Sequence, residues 1–437
     1  MISPGSFSMY DLIRQTYEDH PYQGAVALEA GFRHDAAAHF PFAAAIPFYL
    51  RDRRVPTAPL DILDVGCGAG VTTLLLAEAN PGACLVAMDL SARSVQQTVA
   101  RLQTQGYTVA GHVLALEDLP QLGRQFDYIN CHEVLYLLPD PGLGLQILAQ
   151  ALKPGGILRA NLHSTHARAP MYRAQTLMAL LGWMETAPTP TAYAAIRDWM
   201  VALRDDLPFK QAVWRPERAH DPDYFNNNFL FHGDKGFTVP QLFDFLNPSG
   251  LHFLGMVDRR GWDLSDWLTS PFPDRIAEFL ANATPMAQLH AHDLIVGNHR
   301  LLDFWASPVP KGNAPEPEAW SEERWAHASA TLNPILRVAP LAALLQKNLV
   351  TYEPLTLHSF LPQTTAATEQ LGWLPQLCLR QLWSEHLPVS TLMAQVAAGL
   401  PPGSALPMAV LRQQALLPLV RRLAVFLECP GSPQTVY

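Results

Sequence analysis

The chain has 437 residues, of which 49% are hydrophobic and 16% charged, so it is long enough for two or three folded units and too apolar for a disordered protein. Its net charge of −9 at pH 7, with one tight basic run at Arg51, Arg53 and Arg54, excludes a general nucleic-acid-binding surface. Its five cysteines form no CxxC pair, which argues against a disulfide framework and a structural zinc site.

The N-terminal segment, residues 1–59, begins without the basic and apolar regions of a secretory signal. Apolar stretches elsewhere are interrupted by arginines, so the sequence predicts no membrane span and no membrane partner. We therefore expect a cytoplasmic protein. The stretch "SMYDLIRQTYEDHPYQG" (8–24) is dense in aromatic residues and carries Tyr10, Tyr17 and Tyr22.

From Leu60 to Ser164, apolar runs of strand length alternate with helical patterns. Strands are predicted at 60–65, 84–90, within 108–116, at 126–131 and at 155–164, and helices at 71–79, 92–105 and 141–152. Near-continuous apolar strands separated by amphipathic helices indicate a parallel sheet that is covered on both faces. Because the crossovers of such a sheet are right-handed, the pattern predicts a doubly wound α/β fold.

After Ser164 the alternation ends, and the rest of the chain divides into five predicted parts. They are a helical insertion at about 165–237, a helix and late strand at 238–258 that complete the sheet, a helical connection at 259–306, a Pro-rich linker at 307–318, and a mostly helical C-terminal accessory domain at 319–437.

A glycine-rich turn joins the first predicted strand to its helix in "DVGCGAG", which has the pattern DxGxGxG. The dinucleotide fingerprint GxGxxG needs a third glycine where this chain has Val71. S-adenosylmethionine has no phosphate, and it suits a bare loop with Asp64 near its ammonium group and Asp89 accepting both ribose hydroxyls. The alternative is that Asp64 caps a turn and Asp89 caps the next helix.

The segments "LDVGCGAG", "AMDLS", "LEDLP", "FDYINCHEVLYLLPDP" and "LKPGGIL" occur in that order between Leu60 and Ser164. Through them the chain resembles class I S-adenosylmethionine-dependent methyltransferases over about a quarter of its length. The resemblance implies a Rossmann-like, doubly wound, seven-stranded sheet (60–258), S-adenosyl-L-methionine as cofactor and S-adenosyl-L-homocysteine as product. The residues that it implies for cofactor binding are Asp64, Gly66, Cys67, Gly68, Gly70, Asp89, Leu90, Glu117, Asp118 and Asn130.

One position departs from the family pattern. Many relatives have an aspartate that meets the adenine amino group two residues before the Glu of "EDLP", and this chain has Ala115 there. Either Glu117 or Asp118, or the backbone around Leu119, is then expected to contact the adenine.

In relatives, the segment "NCHEVLYLL" (130–138) lies beside the methyl donor, which makes His132 and Glu133 candidate catalytic residues, with His163 at the end of the fifth strand as a third. Methyl transfer from a sulfonium depends mainly on alignment and a desolvated pocket. A general base is needed only if the acceptor must first lose a proton. Alternatively, a histidine at a strand end is a hydrogen-bonded part of the scaffold.

Upstream helices often close over the donor in this family, so residues 1–59 are expected to form a helical cap or lid; the alternative is an amphipathic helix packed on the sheet. Polar groups in the turn of "FNNNFLFHGDKGF" can reach an acceptor. Candidate substrate contacts are Tyr10, Tyr17, Tyr22, Tyr136 and His232. No metal is expected, because the spacing of His290, His292 and His299 is weak evidence for a metal site.

Three functions remain open at the level of sequence. The first is methylation of a protein side-chain nitrogen, with the C-terminal region as docking surface, because "SMYDLIRQTYEDHPY", "HGDKGFTVPQLFDFL" and "HRLLDFW" resemble cyanobacterial methyltransferases such as the phycobiliprotein asparagine methyltransferase. The second is methylation of a small molecule such as a pigment or natural product, with that region as a lid or homodimer interface. The third is a regulatory protein that binds the cofactor without turnover.

Overall fold

One mixed sheet organises the chain in the computed structural model, which describes residues 9–22, 35–269, 273–401 and 403–429. Its strand order is β3-β2-β1-β4-β5-β8-β7, and the two-residue β6 pairs with the end of β5. The strands of the sheet are β1 (Asp61–Val65), β2 (Cys84–Asp89), β3 (Val109–Val113), β4 (Phe126–Cys131), β5 (Leu152–Ser164), β6 (Gly236–Phe237), β7 (His252–Met256) and β8 (Leu301–Ser307). The predicted Rossmann-like, seven-stranded α/β sheet is confirmed.

Helices cover both faces of this sheet and form most of the remaining structure. They are α1 (Met9–Asp19), α2 (Ala36–His39), α3 (Ala45–Asp52), α4 (Val71–Ala79), α5 (Ala92–Thr104), α6 (Pro141–Gln150), α7 (Thr165–Leu180), α8 (Pro190–Ala202), α9 (Pro208–Val213), α10 (Pro222–Tyr224), α11 (Val239–Leu246), α12 (Asp274–Asn282), α13 (Pro285–Ile295), α14 (Glu322–His327), α15 (Ala339–Thr351), α16 (Trp373–Gln381), α17 (Val389–Ala398), α18 (Met408–Leu411) and α19 (Leu417–Arg421). Side-chain caps define several starts: the Ser91 oxygen accepts from the N–H of Ser94, and the Asp140 carboxylate accepts from that of Leu143. No helix of the described residues is both long and apolar enough to cross a membrane.

The prediction that residues 259–306 form a helical connection is wrong at its end, because Leu301–Ser307 is a strand of the sheet. This strand, β8, is antiparallel to both β5 and β7, between which it lies. Its sequence "LLDFWAS" is a short apolar run, and such a run does not distinguish a buried strand from a buried helix without its partners. The sheet therefore extends beyond the predicted boundary at residue 258.

The C-terminal region is mostly helical, as predicted, and it also contains a three-stranded antiparallel sheet of order β10-β9-β11, formed by Leu387–Pro388, Ser329–Leu332 and Val425–Glu428. It shares one hydrophobic core with α3 and one face of the large sheet. The rings of Tyr49 and Phe426 lie 4.7 Å apart, and the Tyr49 hydroxyl accepts a hydrogen bond from the backbone N–H of Leu427.

The predicted cap of residues 1–59 is therefore wrong for α2 and α3, which are buried parts of the scaffold. Within that segment α1 is the helix that contacts the cavity described below. Residues 1–8 and 23–34 of the predicted cap, and residues 430–437 of the predicted C-terminal domain, lie outside the described residues.

Candidate active site

The turn between β1 and α4 is built from three glycines in left-handed conformations. Gly66, Gly68 and Gly70 have φ angles of +73°, +51° and +84°. A Cβ at Gly66 would overlap Val134 Cγ2, and one at Gly70 would lie 2.8 Å from the Cα of Thr98. Both the backbone angles and the close neighbours thus require glycine here, which leaves bare backbone at the carboxyl edge of the sheet.

Asp64 lies beneath this turn and does not line the cavity. Its Oδ2 accepts hydrogen bonds from the hydroxyls of Thr72 and Thr73, and its Oδ1 accepts from Nδ2 of Asn130 at 2.7 Å. Burial raises the pKa of the Asp64 carboxyl, and these three hydrogen bonds oppose the rise. The structure therefore places Asp64 as a support for the start of α4 and for Asn130.

Asp89 is at the end of β2, on the edge of the cavity. Its Oδ2 accepts the backbone N–H of Gly68 at 2.9 Å, and its Oδ1 accepts that of Ser91, also at 2.9 Å. Burial raises the pKa of this carboxyl, and the two backbone hydrogen bonds oppose the rise. Each oxygen keeps lone pairs that neither backbone group uses.

A cavity adjoins the glycine turn, and its lining is mostly apolar and aromatic with a few polar groups, as is usual for ligand pockets. The predicted residues that line it are Tyr10, Tyr17, Tyr22, Gly66, Gly68, Asp89, Leu90, Glu117, His132, Glu133 and Tyr136. The predicted residues that do not line it are Asp64, Cys67, Gly70, Asp118, Asn130, His163 and His232.

Helix α1 and the residues after it form one wall of the cavity. The hydroxyl of Tyr10 donates to the Glu117 carboxylate, and that of Tyr17 donates to Asn227 Oδ1 at 3.1 Å. The Tyr22 carbonyl accepts the backbone N–H of Ala69 at 3.1 Å. These contacts tie α1 to the glycine turn, to the segment after β3 and to the helical insertion.

His132 follows β4 and has its two ring nitrogens in different surroundings. Nδ1 points into the protein, 2.6 Å from Nδ2 of Asn161 and 3.4 Å from Nη2 of Arg159. Nε2 lies on the other side of the ring, 3.9 Å from Oε1 of Glu133. Burial and the charge of Arg159 lower the pKa of His132 to about 4.

Glu133 has a left-handed backbone, with φ of +62°, which is unusual for a residue with a side chain and marks local strain. Its carboxylate accepts hydrogen bonds from the Tyr136 hydroxyl and from the guanidinium of Arg300. Burial opposes ionisation of this carboxyl, but the neighbouring His163 and Arg300 outweigh it and hold its pKa well below the usual range. Glu133 is therefore an anion that already has its cation.

His163 lies behind the cavity wall, fully buried. Its Nδ1 is 2.6 Å from Oδ1 of Asp234, its Nε2 is 2.9 Å from Nη1 of Arg300, and its ring stacks on Tyr136 with centroids 3.7 Å apart. Its position is that of a residue that supports Tyr136 and Arg300. His232 is also away from the cavity, with Nε2 3.2 Å from the carbonyl oxygen of Met184.

Sequence reasoning missed Arg300 and Asn161. Arg300 lines the cavity, and the register of β5 with β8, in which His163 pairs with Leu301, brings it to the carboxyl edge of the sheet. Asn161, on β5, holds both the backbone N–H of Glu133 and the ring of His132. The sequence carried one signal for Asn161, which is a polar residue inside an apolar strand. It carried no signal for Arg300, because the position of Arg300 depends on the pairing of β8 with β5.

Comparison with known proteins identifies the central part of the chain. Residues 57–202 match a family model described as a methyltransferase domain. The match and the Rossmann-like fold support the predicted methyltransferase family for these residues. The family and the cofactor class, S-adenosylmethionine, agree with the predictions from the five sequence segments.

Curated relatives match part of the chain. An uncharacterized protein of Synechococcus sp. is 34% identical over 206 residues, which are 46% of this chain and 49% of that protein. A ubiquinone biosynthesis O-methyltransferase of Xylella fastidiosa is 34% identical over 156 residues, 35% of this chain and 62% of that enzyme. The chain thus spans about half to two thirds of the length of these relatives.

A solved structure resembles the chain far beyond the methyltransferase domain. PKMT2 of Rickettsia typhi superposes with a TM-score of 0.57 and 15% identity, over 91% of this chain and 76% of that one. At this identity the likeness concerns the fold alone. Because 91% of the chain is covered, the shared fold includes most of the C-terminal region.

Proposed function

We propose that this chain is an S-adenosylmethionine-dependent methyltransferase that methylates a side-chain nitrogen of a protein. The observation that carries the cofactor part of the proposal is the Asp89 carboxylate at the edge of the cavity, held by the N–H groups of Gly68 and Ser91. A carboxylate in this position suits a ligand with two neighbouring hydroxyls, as in a ribose.

The residues present fit the cofactor in their chemistry. Asp89 would accept the ribose hydroxyls, the apolar side chains of Met88, Leu90 and Leu114 would contact the adenine, and the bare backbone of Gly66 would admit the amino-acid part. When bound, the cofactor supplies a methyl group whose bond to sulfur breaks, with the electron pair passing to sulfur, as a lone pair of the acceptor bonds to the methyl carbon.

The chain's own residues would align the acceptor and exclude water. The rings of Tyr10, Tyr17, Tyr22 and Tyr136 line the cavity, and the α1 contacts described above close one of its walls. Alignment in a dry cavity supplies most of the acceleration that such a displacement needs. Glu133 and Arg300 would contribute an ion pair to the cavity lining.

For the acceptor, we propose a protein side-chain nitrogen because the chain continues well beyond the methyltransferase domain into a C-terminal region that shares a core with the sheet. Similarity of part of the chain to a ubiquinone biosynthesis O-methyltransferase favours a second candidate, O-methylation of a small molecule.

Two measurements test these proposals. Calorimetry with S-adenosylhomocysteine should give saturable binding to the full-length protein, and its absence, together with binding of NADH, would reject the cofactor. The protein should be incubated with methyl-labelled S-adenosylmethionine and a lysate from cells in which its own gene is deleted. We expect the label in a protein band. Label in the solvent-extractable fraction would instead support the small-molecule candidate.

A further inference from the structure

We infer that Asn161 fixes His132 as a neutral imidazole whose Nε2–H faces the cavity, so that His132 donates a hydrogen bond to the methyl acceptor and takes no proton from it. The inference rests on the proposed function and adds a property of the substrate: the bound acceptor presents a lone pair to His132. Asn161 is in this view a positioning residue, because it acts through the histidine.

The orientation of the Asn161 amide follows from its other partner. Asn161 is fully buried on β5, and its Oδ1 accepts the backbone N–H of Glu133 at 2.9 Å. A backbone N–H can only donate, so this oxygen cannot exchange places with the amide nitrogen. Nδ2 must therefore be the atom that faces Nδ1 of His132, at 2.6 Å.

A second donor faces the same ring nitrogen. Nη2 of Arg159 lies 3.4 Å from Nδ1 of His132, and a guanidinium has no lone pair to offer. Arg159 is held in place by Asp303, at 2.7 and 3.1 Å, and by Oδ1 of Asn130 at 3.1 Å. With two donors on one side, Nδ1 must carry the lone pair, and a neutral ring then carries its proton on Nε2.

The charges around the ring keep it neutral. Arg159 and Arg300 oppose a positive imidazolium, Glu133 and Asp303 favour one, and burial tips the balance so that the pKa of His132 falls to about 4. Nε2 forms no hydrogen bond within the described part of the chain, and it is 3.9 Å from a Glu133 carboxylate that Tyr136 and Arg300 already engage. At neutral pH the cavity therefore receives an N–H donor from His132.

This arrangement restricts both the acceptor and the proton. An ammonium group, which has only donors, does not fit against the Nε2–H, whereas an acceptor group with a lone pair on an atom beside the methylated one does. A proton that the acceptor nitrogen loses passes to solvent after methyl transfer, when the product leaves the cavity. It does not pass to His132, because Nε2 already carries a proton and the lone pair of Nδ1 lies away from the cavity.

The first test reads the tautomer directly in the full-length protein. Selective ¹⁵N-histidine labelling and two-bond ¹⁵N–¹H correlation spectra between pH 5 and 8 should show His132 with an unprotonated Nδ1 and a protonated Nε2 throughout. His132→Gln identifies the signal, and the exposed His252 provides a reference in the same spectra. An Nδ1–H tautomer, or an imidazolium at pH 7, would overturn the inference even if S-adenosylhomocysteine binds as proposed.

The second test changes the positioning residue. In Asn161→Asp, one carboxylate oxygen still accepts the Glu133 N–H, and the other can accept a hydrogen bond from Nδ1 of His132. The neutral imidazole should therefore carry its proton on Nδ1, and the pKa of His132 should rise by about one unit or more. Unchanged His132 signals in a folded N161D protein would contradict the inference. Asn161→Ala, which removes the donor without adding a charge, should leave the pKa below that of N161D.

The third test separates donation from proton removal. Glutamine at position 132 keeps an N–H donor, so H132Q should retain incorporation of labelled methyl within about tenfold of the native protein, whichever lysate fraction accepts it. Loss of a general base instead costs about 10²- to 10⁴-fold. If H132Q loses as much methyl incorporation as His132→Ala, the donor role is overturned. If the native protein does not bind S-adenosylhomocysteine, the proposed function is rejected, but the tautomer result still stands.

Discussion

The guanidinium of Arg300 pairs with the carboxylate of Glu133, although 167 residues separate them in the sequence. Glu133 is at the strained turn after β4, and Arg300 immediately precedes β8. The pair joins the segment after β4 to β8, a strand that no sequence motif predicts, and both side chains line the cavity.

The Arg300–Glu133 pair predicts a non-additive effect on stability. Arg300→Gln leaves a buried carboxylate without its cation, so it should destabilise the protein more than the double variant with Glu133→Gln does. In a double-mutant cycle by urea denaturation, we expect a coupling of about 1 kcal/mol or more. The exposed pair Arg204–Asp206 provides the control, with a coupling near zero, and additive effects at positions 133 and 300 would contradict the assignment.

Removal of the Asp89 charge should weaken cofactor binding. We expect Asp89→Asn to reduce the affinity for S-adenosylhomocysteine about 10- to 100-fold, since hydrogen bonds to a charged acceptor are lost. Titration calorimetry measures the effect. Asp244→Asn, at an exposed position on α11, is the matched control and should bind normally; equal affinities of the two variants would refute a role for Asp89.

The two acidic residues after Ala115 should differ in their effects. Glu117 lines the cavity and accepts from Tyr10, whereas Asp118 does not line it and accepts from Gln121 at 2.8 Å. Glu117→Gln should therefore lower the affinity for S-adenosylhomocysteine, by roughly tenfold, and Asp118→Asn should not. The reverse order in calorimetry would place the adenine contact at Asp118.

The glycine turn predicts a steric effect that can be separated from the backbone effect. Gly66 and Gly82 both have positive φ, +73° and +82°, but a Cβ at Gly66 would overlap Val134, whereas nothing lies within 4 Å of one at Gly82. Gly82→Ala should lower the free energy of unfolding by about 1–2 kcal/mol through its backbone angle. Gly66→Ala should cost about 1–3 kcal/mol more, and equal losses in denaturant titrations would show that the turn has room for a side chain.

His132 predicts how stability depends on pH. Its pKa is about 4 in the folded protein and about 6.5 when unfolded, so between these values the unfolded chain binds a proton that the folded protein does not. The free energy of unfolding should therefore fall as the pH is lowered from 6.5 to 4, by roughly 3 kcal/mol from this residue. His132→Gln should remove that part of the slope in denaturation measured at several pH values. Burial also lowers the pKa of His292 to about 4, and this contribution is the same in the native protein and in His132→Gln. Parallel curves of unfolding free energy against pH for the two proteins would therefore refute the prediction.

Much of the fold could be predicted because its signals are local. The strands and helices between Leu60 and Ser164 each have their own apolar period, and the turn at Gly66 to Gly70 requires glycine through its own φ angles. The position of Asp89 at the end of the second strand followed from the same alternation, since carboxyl ends of parallel strands meet at one edge of the sheet.

The sequence by itself thus determined the order of the elements between Leu60 and Ser164, the glycine turn and the resemblance to methyltransferases. Only the tertiary structure decided that β8 pairs between β5 and β7, that Arg300 reaches Glu133, and that Asp64 faces α4 instead of the cavity. The reason is physical: a periodic pattern specifies which face of an element is buried, but the partner of a polar side chain depends on contacts between segments that are distant in the chain.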